Sequence, residues 1–496
     1  MSQHFSRRFI LAGLMSGSAV LAQAGAPETS LFPPVKPKNF AKSVANPTER
    51  IVAGAGFSGD VGFVVADATT GEILESRNAG LAMPPASVAK AITALYALQA
   101  LGLGYEFSTR LVATGPISNG ILNGDLVLLG GGDPTLNTDA LAVLAQGLKN
   151  AGVREVTGGF LVHSAVLPYV RSIDKEQPDH LGYNPAVSGL NLNFNRVHFE
   201  WKRANSGYSV AMDARSDKYR PEVHMAKMVV KKRATPIYTY ADGKDSEQWT
   251  VASGALGDGG SRWLPVRKPE LYAADVFSTM ARSQGIKLSK ERATASIPKG
   301  TVIAQVQSGE LGTIVRDMLK YSTNLTAEVI GLSATRGRGI DPRNLATSGA
   351  KMSSWAGQVL GMKTAKFVDH SGLSGDSRVP ASEMVSALVA AKPNGALHGL
   401  MKNIVLKSPD GKALSSAPAT VRAKTGTLNF VSALAGYITL PNGRVLAFAI
   451  FTADLKKRTQ IDKSERERPA GGRAWAQNSR KMQQELLQGW ARTYAS

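Results

Sequence analysis

The chain has 496 residues, no cysteine and a formal net charge of +20. That length exceeds one ordinary small domain and can bury several cores, while the absence of thiols excludes disulfides, a thiolate metal site and a cysteine nucleophile. The composition excludes collagen, coiled coil and wholesale disorder.

Residues 1–26 read as an export signal. Arg7 and Arg8 supply the positive end, residues 9–21 the apolar stretch, and Ala22-Gln23-Ala24 or Ala24-Gly25-Ala26 the small-residue cleavage site. Gly13, Ser16, Gly17 and Ser18 interrupt the stretch, which argues against a permanent membrane anchor. Ser6-Arg7-Arg8-Phe9-Ile10-Leu11 is also similar to a twin-arginine signal, so Sec and twin-arginine export both fit, and either implies a periplasmic protein. Loss of Arg7 and Arg8 with the signal leaves +18. For an exported chain this charge favours peripheral contact with anionic wall polymer or anionic lipid over nucleic acid. The basic clusters Lys227, Lys231, Lys232, Arg233 and Lys456, Lys457, Arg458 lack interleaved aromatics and read as solvated faces.

After a proline-bearing linker at 27–45, residues 61–66, a turn at 67–71 and residues 72–77 read as strand, turn, strand. Met83-Pro84-Pro85-Ala86 then precedes Ser87-Val88-Ala89-Lys90 and an apolar run of helix formers ending near Gly102 and Gly104, so a helix starts at or just before Ser87. Residues three apart share a helix face, which lets the Lys90 amine fold back over the Ser87 hydroxyl. Ser-x-x-Lys recurs at Ser172, Ser296 and Ser348. Prolines 178 and 298 spoil the first two, and the third has no Ser-x-Asn behind it before Lys424. Residues 106–300 hold short apolar segments between turns and read as one or two accessory domains inserted into a domain made of 46–105 and 301–496. Within the insert, Gly130-Gly131-Gly132-Asp133-Pro134 lacks the Lys-Ser/Thr of a phosphate cradle and reads as a loop. Ser322-Thr323-Asn324 and Lys424-Thr425-Gly426 follow in order. Residues 431–440 and 444–453 around Pro441-Asn442-Gly443 read as a hairpin, and 473–495 as a closing helix. The expected fold is α/β: a mainly antiparallel sheet built from the N-terminal strands and the C-terminal hairpin, flanked by helices.

The three motifs describe a serine hydrolase whose base is lysine. Lys90 must be neutral to take the Ser87 proton, through desolvation or a nearby cation such as Lys424. Ser322 then relays a proton, Asn324 fixes Lys90 or the substrate amide, and the N–H groups of Ser87 and Thr427 form the oxyanion site. Gly426 admits substrate backbone close to the strand, and the Thr425 and Thr427 hydroxyls with Lys424 suit a substrate carboxylate. The plainer alternatives are that Ser322 and Asn324 cap the helix beginning at Leu325, and that Lys424 is a solvated strand residue. The seven histidines include no i, i+4 pair and no His-Glu-x-x-His, so a zinc peptidase and any metal site are disfavoured.

With these motifs the chain resembles the class C low-molecular-mass penicillin-binding proteins, the D-alanyl-D-alanine carboxypeptidase/endopeptidases of penicillin-binding-protein-4 type. Gly130-Gly131-Gly132-Asp133-Pro134-Thr135-Leu136, Ser322-Thr323-Asn324-Leu325-Thr326-Ala327-Glu328 and Asp369-His370-Ser371-Gly372-Leu373-Ser374 look like family signatures, and the gap from Ser87 to Ser322 is similar to that family's insertion. The resemblance implies cleavage of D-Ala-D-Ala or cross-bridge bonds in peptidoglycan stem peptides through an acyl-Ser87 intermediate. It also implies β-lactams as covalent inhibitors and no cofactor. Three positions depart from it. His163 stands where the family commonly has aspartate, Gly375 where it often has the arginine that helps hold a diaminopimelate side chain, and His370 where it usually has glycine. A β-lactam hydrolase on the same scaffold and a non-catalytic wall-binding scaffold are the alternatives.

Overall fold

The apolar run at 431–453 alternates small and bulky side chains, and each set finds its own layer. In this computed structural model, which describes residues 47–495, the elements that frame the site are, in chain order, β1 (Asp60–Asp67), β2 (Ile73–Arg77), α1 (Ala89–Leu101), α2 (Leu311–Tyr321), α3 (Asn324–Gly337), α4 (Leu345–Val359), β3 (Thr420–Leu428), β4 (Val431–Thr439), β5 (Val445–Ala453) and α5 (Gly472–Thr493). The expected export signal and linker lie outside the described residues.

The sheet order is β3-β4-β5-β1-β2, antiparallel throughout. The N-terminal strands and the C-terminal hairpin therefore share one sheet, as their patterns suggest. Ala433, Ala435, Tyr437, Ala449 and Phe451 face a helical core that includes Ile92 of α1 and Ile330 of α3. Leu434, Ile438, Leu446, Phe448 and Ile450 face Leu486, Leu487 and Trp490 of α5. Strands covered on both faces have no polar repeat, which is why this run is apolar almost throughout. At the hairpin tip Gly443 takes φ +85, a conformation open to glycine. Beyond β3 only the short strand Lys402–Asn403 pairs, with Ala423 and Arg422. Among the described residues, no further strand pairs with β3 on that side from Lys424 onward.

Between α1 and α2 the chain builds separate sheets. Ser108–Ala113, Leu126–Leu129, Phe160–His163 and Glu291–Ala293 join Thr301–Gln307 in a five-stranded sheet, and three three-stranded sheets accompany it. Together they bury a core of their own that includes Leu128, Phe160, Phe199, Trp249 and Phe277. Thr301–Gln307 lies beyond the expected boundary at 300, yet it pairs with Ser108–Ala113. That pairing is long-range and leaves no mark in the local pattern.

Candidate active site

The proline-punctuated segment before Ser87 does not enter the α-helix directly. Ala86–Val88 forms a single 3-10 turn, and α1 begins at Ala89. Ala86 takes φ 46. Its carbonyl lies so close to Gly372 that a Cβ there would collide with it. The turn presents Ser87 at the head of α1 with Lys90 one turn on. Lys90 is fully buried, and its amine donates to Ser87 Oγ at 3.0 Å, to Asn324 Oδ1 at 2.7 Å and to the Ser371 carbonyl at 2.7 Å.

Ser322 ends α2 in the left-handed region (φ 61, ψ 37). The N-cap of α3 is Thr323, with no side-chain cap bond, and Asn324 opens the helix. Capping therefore does not explain Ser322: its Oγ instead accepts from Lys424 Nζ at 2.9 Å. Nor is Lys424 solvated. It is 1 % exposed and also donates to the Thr425 carbonyl at 2.7 Å. Asn324 Nδ2 donates to the Tyr183 carbonyl at 2.9 Å, so the inserted region touches the site. Gly426 packs against the nucleophile turn, where a Cβ would lie 2.7 Å from the Pro85 carbonyl oxygen and 3.0 Å from the Ser87 nitrogen.

Burial pulls the Lys90 amine down to about 8, against the opposing charges of Glu328 and Asp369. Lys424 is held well below its ordinary value by burial first and then by Lys90 and Lys402. The sequence left two causes open for a depressed Lys90, desolvation or a cation such as Lys424. Desolvation is the one that lowers Lys90, while the carboxylates of Glu328 and Asp369 act the other way. Glu328 accepts from the N–H groups of His370 at 3.0 Å and Ser371 at 2.9 Å, and burial pushes it up to about 8. Asp369 accepts from Gly372 at 2.7 Å and Ser374 at 2.8 Å, and burial lifts it to about 6. These two carboxylates hold the 369–374 loop that brings the Ser371 carbonyl onto Lys90. The motif search gave neither a role. A charged residue inside the otherwise apolar stretch from Leu325 to Leu332 was the available signal.

Above the lysines opens a cavity of about 720 Å³ lined by Ser87, Ser322, Asn324 and Thr427, with Gln177 and Tyr183 from the insert. Thr425 and Gly426 lie on the strand beside it, outside the lining. The family model for D-Ala-D-Ala carboxypeptidase 3 (S13) matches residues 49–473.

The chain belongs to the S13 family.

Among its curated relatives are the D-alanyl-D-alanine carboxypeptidase of Actinomadura sp. (strain R39), 29 % identical over 432 residues, covering 78 % of this chain and 77 % of the relative, and DacB of Haemophilus influenzae, 27 % identical over 445 residues, covering 84 % and 90 %. The crystal structure of penicillin binding protein 4 from Haemophilus influenzae superposes with a TM-score of 0.71 at 21 % identity, covering 89 % of this chain and 99 % of that one. This likeness bears out the expected fold.

At the departures from the family pattern, this S13 chain puts His163 in the strand Phe160–His163, buried and outside the cavity lining. Gly375 leaves room for the Arg458 guanidinium, whose Nη2 would lie 2.6 Å from a Cβ there. Arg458 was expected on a solvated face. Lys456 and Lys457 are indeed exposed, whereas Arg458 turns into the cavity wall and donates to the Asn429 carbonyl at 3.1 Å. His198, Glu200 and Asp213 gather in the insert, a grouping the spacing of the histidines did not reveal. The Arg215 guanidinium already bonds both carboxylates, at 2.7 and 2.6 Å, and occupies the place of a cation.

Proposed function

We infer that this S13 chain is an active serine DD-peptidase that cleaves D-Ala-D-Ala bonds of peptidoglycan stem peptides and is acylated by β-lactams. The observation that carries the reading is the 3.0 Å contact between a buried, depressed Lys90 amine and Ser87 Oγ. Neutral Lys90 takes the Ser87 proton as Oγ attacks the penultimate carbonyl. The oxyanion forms at the N–H groups of Ser87 and Thr427. As the C–N bond breaks, the proton passes by way of Ser322 to the leaving amine, and water later releases the acyl group from Ser87. Lys424 with Thr425 and Thr427 takes the terminal carboxylate, and Asn324 keeps Lys90 aimed.

Among the described residues lining the cavity the only carboxylate is Glu467. It accepts from His180 and Arg262 at 2.8 and 3.0 Å and is held down to about 2, which makes it a poor base for deacylation. This argues against a β-lactam hydrolase. The signal-like residues 1–26 and the +18 charge that remains after them support export to the periplasm and contact with an anionic wall or membrane surface. No helix among the described residues is long and apolar enough to cross a membrane.

The test is the intact mass of the purified protein through time after addition of benzylpenicillin. A persistent one-to-one adduct on Ser87 is expected. An adduct that disappears as penicillin is consumed would favour the hydrolase, and folded protein that takes no adduct would remove Ser87 as nucleophile.

A further inference from the structure

The cavity that begins at Ser87 does not end at the motifs. It continues past Thr427, Leu428 and Asn429 to the segment 466–480, where Arg466, Arg468, Arg473 and Arg480 line it. Charge there is unbalanced. Glu467 is engaged by His180 and Arg262, and Arg466 pairs with Glu176 at 3.3 Å. Among the described residues Arg468, Arg473 and Arg480 have no side-chain hydrogen bond or ion pair. Arg473 and Arg480 stand seven residues apart on α5 with Ala476 between them, and all three line the cavity. That spacing is one helix face. Three unpaired guanidiniums at one wall repel one another, and an anion between them relieves the repulsion.

The direction of a bound peptide follows from the strand. β3 runs from Lys424 towards Leu428. A substrate whose terminal carboxylate sits at Lys424 and whose backbone pairs antiparallel to β3 runs upstream towards Asn429. At about 3.4 Å per residue, each unit upstream of the terminus lies further along the arm towards the arginines.

We propose that this arm of the cavity is an anion subsite in which Arg468, Arg473 and Arg480 take free carboxylates on the upstream residues of the acyl-donor peptide, so that donors with free acids are preferred over the same peptides with those acids amidated. The proposal rests on the DD-peptidase reading above. Guanidinium forks match carboxylates in two parallel hydrogen bonds, and a primary amide offers neither the charge nor two acceptors.

The experiment compares two synthetic pentapeptides ending in D-Ala-D-Ala, one with free carboxylates at its second and third residues and one with both as primary amides. Unacylated wild-type protein is used, from a preparation in which a separate sample has been verified to form the benzylpenicillin adduct on Ser87. At low salt kcat/KM is expected to favour the acid form about tenfold, with the preference shrinking as salt rises. The double variant Arg473→Gln/Arg480→Gln, at exposed positions, brings the ratio to about one, chiefly through loss on the acid peptide. Arg492→Gln, exposed on the same helix and outside the cavity, keeps the wild-type ratio. A wild-type ratio of one in protein that forms the penicillin adduct overturns the subsite and leaves the DD-peptidase reading standing. Equal losses on both peptides in the double variant also overturn it. Failure to form the adduct is failure of the underlying reading and is seen before either peptide is added.

Discussion

The Lys90 amine lies closer to Asn324 Oδ1, at 2.7 Å, than to Ser87 Oγ, at 3.0 Å. Asn324 in turn donates to the Tyr183 carbonyl of the inserted region at 2.9 Å. One amide thus aims the base and ties it to the insert. Asn324→Ala leaves a buried amine one acceptor short. We expect acylation by benzylpenicillin to slow by about 10–100-fold through misplacement of the base, and stability to fall by about 1–3 kcal/mol. Stopped-flow acylation and urea denaturation read the two effects, and an unchanged acylation rate would remove Asn324 from the aiming of Lys90.

Acylation requires neutral Lys90, and burial holds that amine down to about 8. The acylation rate therefore rises about tenfold per pH unit below that value and levels off above it. Stability carries the same signature. Between about 8 and the ordinary lysine value of 10.5 the folded chain binds fewer protons at Lys90 than the unfolded chain does. The Lys90 contribution to stability accordingly grows as pH rises through that window. A flat rate profile from pH 6 to 9, measured as single-turnover acylation, would contradict Lys90 as the base.

Glu328 opposes the depression of Lys90 and anchors two loop N–H groups. Glu328→Gln replaces this carboxyl by an amide of nearly the same shape. The amide can accept only one of the two N–H groups through its oxygen, which costs about 1–3 kcal/mol. Burial raises wild-type Glu328 from 4.5 to about 8. Its stabilisation is therefore full below 4.5 and is lost as pH rises towards 8. The variant's melting temperature, followed by circular dichroism, should show a shallower decline over that range.

Gly331 makes room for His370. A Cβ on Gly331 would run into the imidazole, whose Nε2 pairs with Ser348 Oγ at 2.7 Å. Burial holds that ring down to about 3, so it stays neutral. Gly331→Ala forces the ring aside and destabilises the fold by about 1–3 kcal/mol. Adding His370→Gly removes the clash, so the double variant should lose less than the two single losses combined. Additive losses in urea midpoints would show that the two positions do not compete for the same space.

Gly426→Ala tests the approach of β3 to the nucleophile turn. The added methyl meets backbone at Pro85 and Ser87, which cannot swing away as a side-chain tip can. An outward shift of the strand carries Thr427 away from Ser87, and acylation should fall by at least about 10–100-fold. Circular dichroism and thermal melting should meanwhile report a folded protein.

The nucleophile and its base could be read from the sequence because they lie on one helical turn: proline punctuation fixed where that turn begins, and a three-residue spacing fixed that Lys90 reaches Ser87. The hairpin at 431–453 was equally legible, since its turn residues and apolar runs act locally. Tertiary structure alone decided the rest. Asn324 meets Lys90 across 234 residues and Ser322 meets Lys424 across 102. Thr301–Gln307 found its place only through a partner strand in the insert. Arg458 reads as one of three adjacent basic residues, and only packing turned it inward. Glu328 and Asp369 gained their influence on Lys90 from shared burial, because charges act strongly on one another only where the fold has removed water from between them.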